Sequence, residues 1–185
     1  MFRAKKATKP NPIIIKGHEV EQVKTYKYLG VTLNDTLTWT DNTDMTLKKV
    51  NPRLYCLRKL NSFGVCSDLL QLFYSSSIIG IIGFGIVSWG NGIAQSDRGR
   101  LDRVIRKAGR VVGRDQDNIQ TITNKRVKKK LACIMTDDTH PLRPDFDDTL
   151  IARSGRFRLP LLKTERFRKS FFPCAVVIFN KSFNR

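Results

Sequence analysis

From Leu69 to Ser96 no residue carries a charge, while lysines and arginines crowd the chain on either side. Such a run has to be covered, by the rest of the protein or by lipid, because a large contiguous apolar surface is strongly disfavoured in water. Its densest part, Ile78 to Trp89, falls well short of the ~20 apolar residues a membrane span requires. Gln71, Ser75, Ser76 and Ser77 dilute the half before it, and basic residues flank both sides without the bias that orients a spanning helix. The stretch LLQLFYSSSIIGIIGFGIVSWG, with Ser67-Asp68 as its cap, is therefore expected to form one helix inside a protein core. A membrane-associated protein using the uncharged 69–94 stretch is the alternative.

The flanking segments have the periodicity to surround such a helix. From Thr40, with Asp41 as cap, Leu47, Val50, Leu54, Leu57 and Leu60 recur at three and four residues and form one apolar stripe. Lys48, Lys49, Arg53, Arg58 and Lys59 occupy the remaining surface. Pro52 lies inside this helix, at a cost of about 3 kcal/mol. In DRGRLDRVIRKAGRVVG, Leu101, Val104, Ile105, Ala108, Val111 and Val112 make one face. Arg103, Arg106, Lys107, Arg110 and Arg114 make the other, and Gly113 is a stop signal. A further helix, about 119–135, carries Lys125, Arg126, Lys128 and Lys129 of KRVKKK on its exposed side. TDDTHPLRPDFDD reads as a solvated loop, and a last short helix starts near Pro173.

Upstream of Trp39 the pattern is β. PNPIIIK is a short strand, Lys16-Gly17-His18 a turn, and EVEQVKTYKYLGVTL a longer strand region ended by Asn34-Asp35. There Leu29, Val31 and Leu33 alternate with Tyr28, Gly30 and Thr32, the signature of a half-buried strand. The expected fold is mainly α, a helical bundle preceded by a small β-hairpin. Its segments are 1–39, 40–114 and a basic helical 115–185.

The charge narrows the function. Lys and Arg total 34 against 16 Asp and Glu, a formal charge of +18. A surface that positive is best explained by a polyanionic partner, nucleic acid first and an anionic membrane second. The basic helix faces, with Arg153, Arg156, Arg158, Lys163, Arg166, Arg168 and Lys169, supply phosphate contacts. Tyr26, Tyr28, Trp39, Phe157 and Phe167 lie among or beside basic residues, where aromatic rings stack on unpaired bases. KRVKKK also reads as a nuclear-import patch.

Catalytic chemistry has no comparable signal. Asp137-Asp138 and Asp147-Asp148 invite the two-metal reading of nucleotidyl transfer, yet both pairs sit in a Pro-containing loop without a third carboxylate before them. No P-loop, G-x-S-x-G or H-x-D motif occurs. Cys56, Cys66, Cys133 and Cys174 form no C-x-x-C pair, and with His18 and His140 they match no common zinc spacing. MFRAKK is followed by too little apolar sequence for a signal peptide, so an intracellular protein of the nucleus or cytoplasm is expected. No cofactor, metal or small-molecule substrate is expected.

One ordered set of segments carries a family resemblance: YKYLGVTLNDTLTW, TLKKVNPRLYCLRKLNSFGVCSDLLQLFYSSSI, SWG, LDRVIRKAGRVVG, DDTHPL, SGRFRLP and TERFRKSFFPCAVVIFN. This succession resembles the C-terminal part of the reverse transcriptase of animal non-LTR (LINE-type) retrotransposons. MFRAKKATKPNP resembles the segment after that enzyme's catalytic palm. The resemblance implies that Tyr28-Leu29-Gly30-Val31 corresponds to the primer grip, with Gly30 permitting close backbone approach. It implies that the helices from Thr40 onward are thumb and post-thumb, tracking template and primer. The aspartate-bearing palm motifs are then expected upstream of residue 1, so the chain would bind RNA or DNA backbone without polymerising, with the parent retrotransposon protein as a further partner. Pro52, and Gly80, Gly83 and Gly85 in the core helix, depart from the family pattern and read as drift in a truncated copy. The part from about 39 to 82 also resembles the small N-terminal domain catalogued for the eighth AlkB homologue, which gives an alternative: an accessory domain of a nucleic-acid-modifying enzyme.

Overall fold

A computed structural model describes residues 12–184, so the opening MFRAKKATKPN, with its likeness to a post-palm segment, lies outside the described residues. Two hairpins come first. β1 (Ile14–Ile15) pairs with β2 (His18–Glu19), and β3 (Thr25–Tyr28) pairs with β4 (Val31–Asn34). Each turn has two residues at positive φ, Lys16 and Gly17 at 50° and 80°, Leu29 and Gly30 at 46° and 86°. Two-residue loops of this kind match the twist of the strands they join. YKYLGVTLN is thus a tight hairpin and not the continuous half-buried strand expected from its alternation. Leu29 sits at the tip, 77% exposed, because Leu29-Gly30 reverses the chain instead of extending it.

β4 is tied to the first helix, α1 (Thr40–Ser62), by side chains. The Thr32 N–H donates to Asn42 Oδ1 at 3.1 Å, and Asn34 Nδ2 donates to both Thr38 Oγ1 and Asp41 Oδ2 at 2.7 Å. Asp41 is therefore not the cap. It lies in the first turn, where Asn34 holds it and its charge suits the positive end of the helix. Leu47, Val50, Leu54 and Leu57 are buried as the stripe requires, with Leu60 packed at its edge. The helix runs through Pro52, which faces solvent.

The uncharged stretch is buried, but as a broken rod. It comprises α2 (Ser67–Phe73), a π-helical turn (Tyr74–Ile79), α3 (Gly80–Ile82) and α4 (Ile86–Trp89). The break falls at Gly83-Phe84-Gly85, with Gly85 left-handed at φ 60° and the Trp89 indole donating to the Phe84 carbonyl at 2.9 Å. A Cβ on Gly83 would stand 3.1 Å from the Arg126 guanidinium, and one on Gly85 3.1 Å from Val31. These glycines let neighbouring side chains approach the chain closely. Ser67 does not cap α2: Cys66 holds that position, and the Ser67 hydroxyl donates to the Val112 carbonyl at 2.8 Å. Among the described residues no helix is long and apolar enough to cross a membrane.

α5 (Gln95–Val112) buries Leu101, Ile105, Ala108 and Val112 against this rod and α1. It ends at Gly113, whose left-handed backbone (φ 76°) returns an N–H to the Gly109 carbonyl at 2.9 Å. α6 (Ile119–Thr136) is capped by Asn118, whose Oδ1 accepts the Thr121 N–H. Its start, through Ile119 and Ile122, belongs to the first core. Its remainder, through Val127, Leu131 and Ile134, belongs to a second core, so α6 ties the 40–114 and 115–185 segments together.

The second core also takes in α7 (Arg143–Asp147), the hairpin of β5 (Leu150–Ile151) and β6 (Arg156–Phe157), and α9 (Phe171–Asn180). α8 (Glu165–Arg168) precedes α9, and a 3-10 turn (Lys181–Asn184) follows it. TDDTHPLRPDFDD is therefore not wholly a solvated loop. Phe146 is 0% exposed, with its ring 4.5 Å from Phe172 and 5.5 Å from Phe157 between centroids. Phe157 is itself buried, with its backbone bonded on both sides to the Asn180 amide, so it has no free face for a base. The fold is mainly α with small hairpins.

Candidate nucleic-acid interface

The outward face of α5 is strongly basic. Within Arg103, Arg106, Lys107 and Arg110 the pairs 103/106, 103/107, 106/110 and 107/110 are three or four residues apart and so neighbours on the helix surface. All are exposed, and among the described residues no carboxylate pairs with any of them. Much of the acidic complement is occupied elsewhere. Asp44 and Asp97 both bond Arg100, at 2.6 and 3.0 Å, and these bonds hold its guanidinium above the ordinary arginine value. Asp102 accepts the Ile119 N–H at 2.7 Å, and Asp117 pairs with Lys125.

At the C-terminal end of this face lies an open depression of about 410 Å³, bordered by Arg106, Arg110, Arg114, Asp115 and Gln116. Gly109 and Gly113 complete its lining. The missing side chain at Gly109 is what lets the loop fold back, since a Cβ there would stand 2.9 Å from the Arg114 carbonyl. Three bonds then pin this region to α2. Arg114 pairs with Asp68 at 2.5 Å, Gln116 donates to Gln71 Oε1 at 2.8 Å, and Ser67 reaches the Val112 carbonyl. Positive charge at a helix C-terminus also complements the negative end of the helix dipole.

The other residues expected to touch nucleic acid are scattered over several elements. On α1, Lys48, Lys49 and Arg58 are exposed and unpaired among the described residues, Arg53 donates to the Lys49 carbonyl at 2.6 Å, and the Lys59 ammonium sits 5.8 Å from the Tyr55 ring centre. On α6, Lys128 and Lys129 are exposed, Lys125 is paired, and Arg126 lies against Gly83. Arg156 and Arg158 are exposed in and beside β6. Arg166 donates to the Thr36 carbonyl at 3.1 Å, and Arg168 and Lys169 share Glu165 at 3.4 Å each. Tyr28 is exposed beside the hairpin tip, but the space left by Gly30 is filled by the Phe84 ring, 2.8 Å from where a Cβ would be. Trp39 is half-buried, with its indole Nε1 edge close against Gly92, and packs at the border of the first core.

Asp137, Asp138 and Asp147 have side-chain partners. Asp137 accepts the Thr139 hydroxyl and N–H at 2.7 and 3.0 Å, and these bonds pull its carboxyl below the ordinary value. Arg143 bonds both Asp138 and Asp147, at 3.1 and 2.8 Å. Among the described residues no group of three or more His, Cys, Asp and Glu gathers in a way that could hold a metal ion.

A family model described as alkylated DNA repair protein alkB homolog 8, N-terminal, matches residues 39–79. The matched part is α1, α2 and the π turn, and it stops short of the basic α5. No curated protein and no solved structure matches the chain.

Proposed function

We propose that the protein is a non-catalytic nucleic-acid-binding module that grips RNA or DNA through backbone phosphates without reading sequence. This is the thumb-like role implied by its resemblance to the C-terminal part of LINE-type reverse transcriptases. One observation carries the reading: α5 buries Leu101, Val104, Ile105, Ala108 and Val112 on one face and presents Arg103, Arg106, Lys107 and Arg110, with no carboxylate partner among the described residues, on the other. Guanidinium and ammonium groups in that setting attract phosphate and release its counterions.

Fluorescence anisotropy with duplex DNA and single-stranded RNA across a salt series tests the proposal. If some five phosphates are contacted, log affinity for duplex falls against log salt with a slope of about −4 to −5. A slope near zero refutes it. Primer extension with added divalent metal should yield no product, and any extension overturns the non-catalytic part.

The match over residues 39–79 favours a second reading, an accessory domain of a nucleic-acid-modifying enzyme. That reading predicts preference for alkylated over unmodified DNA in the same assay, and equal affinities leave the first reading in place.

A further inference from the structure

We infer that the depression at the end of α5 is a seat for one phosphate group of a bound strand, in which Arg106 and Arg110 grip the phosphate and Arg114 exchanges Asp68 for it. The inference rests on the nucleic-acid reading and names the part of the surface where that binding is concentrated. Arg106 and Arg110 stand one helical turn apart on the same face, and neither has an acidic partner among the described residues. Like charges so placed repel one another, and an anion between them relieves the repulsion. Elsewhere α5 offers phosphate a convex helix surface, whereas here the folded-back loop adds a wall carrying a third guanidinium.

The Arg114–Asp68 pair gives the seat its particular character. Asp68 holds Arg114 at 2.5 Å, yet the Asp68 side chain is 84% exposed. An exposed pair stabilises only weakly, so exchanging it for phosphate costs little. Guanidinium bonds to phosphate are charge-assisted and often bidentate, which favours the exchange. The Gln71–Gln116 amide pair and the Ser67 bond to Val112 hold the wall in place when Arg114 lets go of Asp68. Asp68 is thus an internal competitor for the ligand, and its removal should strengthen binding beyond the general effect of one lost negative charge.

The experiment compares variants of equal charge change, with a short single-stranded RNA as probe and circular dichroism to confirm retained helix. Arg106→Ala/Arg110→Ala is set against Lys128→Ala/Lys129→Ala, and Asp68→Asn against Asp148→Asn, an exposed carboxylate beside α7. The seat predicts that the arginine pair weakens binding about tenfold more than the lysine pair. It also predicts that the arginine pair flattens the single-strand salt slope by about 0.7 for the lost phosphate, and by more than the lysine pair does. Asp68→Asn should tighten binding about threefold more than Asp148→Asn, within what an exposed pair is worth. Equal effects within each comparison overturn the seat while leaving dispersed nucleic-acid binding intact. Absence of any RNA or DNA binding by the unaltered protein at low salt overturns both.

Discussion

Replacing Phe146 with alanine would test the least anticipated part of the architecture. The ring is 0% exposed and lies 4.5, 5.5 and 6.3 Å from the rings of Phe172, Phe157 and Phe171. It is the sole buried residue of α7, so the Asp137–Asp148 segment reaches the second core through this one side chain, aided by Arg143. Truncating a buried Phe costs about 3–5 kcal/mol, and offset aromatic contacts of this kind place the cost in the upper half of that range. Domains of ordinary size hold about 5–15 kcal/mol in total, so the variant would lose a large part of its stability. Urea denaturation followed by circular dichroism measures the loss, and hydrogen exchange shows where it falls. Protection should drop in 143–157 and 171–180 before α1 and α5 are affected. Phe146→Leu, which keeps most of the volume, should cost less than about 1.5 kcal/mol. If Phe146→Ala changes stability by no more than the roughly 0.5 kcal/mol typical of a surface substitution, with unchanged exchange in α9, the packing argument fails.

Two further outcomes follow from single residues. Pro52 removes a hydrogen bond from the middle of α1 but faces solvent, so Pro52→Ala should raise stability by about 2 kcal/mol: the ~3 kcal/mol helix penalty less up to about 1 kcal/mol of lost rigidity in the unfolded chain. A thermal melt that shifts downward would contradict this. Tyr74 is buried, and burial, aided by the negative charge of Asp117, pushes its phenol above the ordinary value of 10.0. Because the folded form resists ionisation, the stability from Tyr74 is complete below pH 10 and lost as pH rises beyond it, so alkaline titration by absorbance should show a tyrosine that ionises only as the helices melt, and Tyr74→Phe should remove that late step.

Several elements were legible because their physics is local. The apolar stripe of α1 and the two faces of α5 are set by spacing of 3.6 residues per turn, and Gly113 ends α5 for a reason contained in its own backbone. The failures share a different cause. Leu29-Gly30 was legible as strand because alternation continues through it, while only the packing of β4 on α1 marks it as a turn. LLQLFYSSSIIGIIGFGIVSWG was legible as buried but not as broken, since its break serves contacts with Val31 and Arg126 far away in sequence. Phe146 was hidden among prolines and aspartates, which signal a loop whatever the aromatic between them does.

The candidate site divides in the same way. Sequence alone determined that the chain is basic, that α5 carries a continuous cationic face, and that the uncharged stretch has to be covered, because charge and periodicity are properties of neighbouring residues. Only the tertiary structure decided which cations stay free and which are held by partners, such as Arg100 by Asp44 and Arg114 by Asp68, 46 residues away. It likewise decided that Gly109 receives the returning loop and that Trp39 and Phe157 turn inward. A pairing between distant side chains depends on how the helices pack, and no local spacing encodes that.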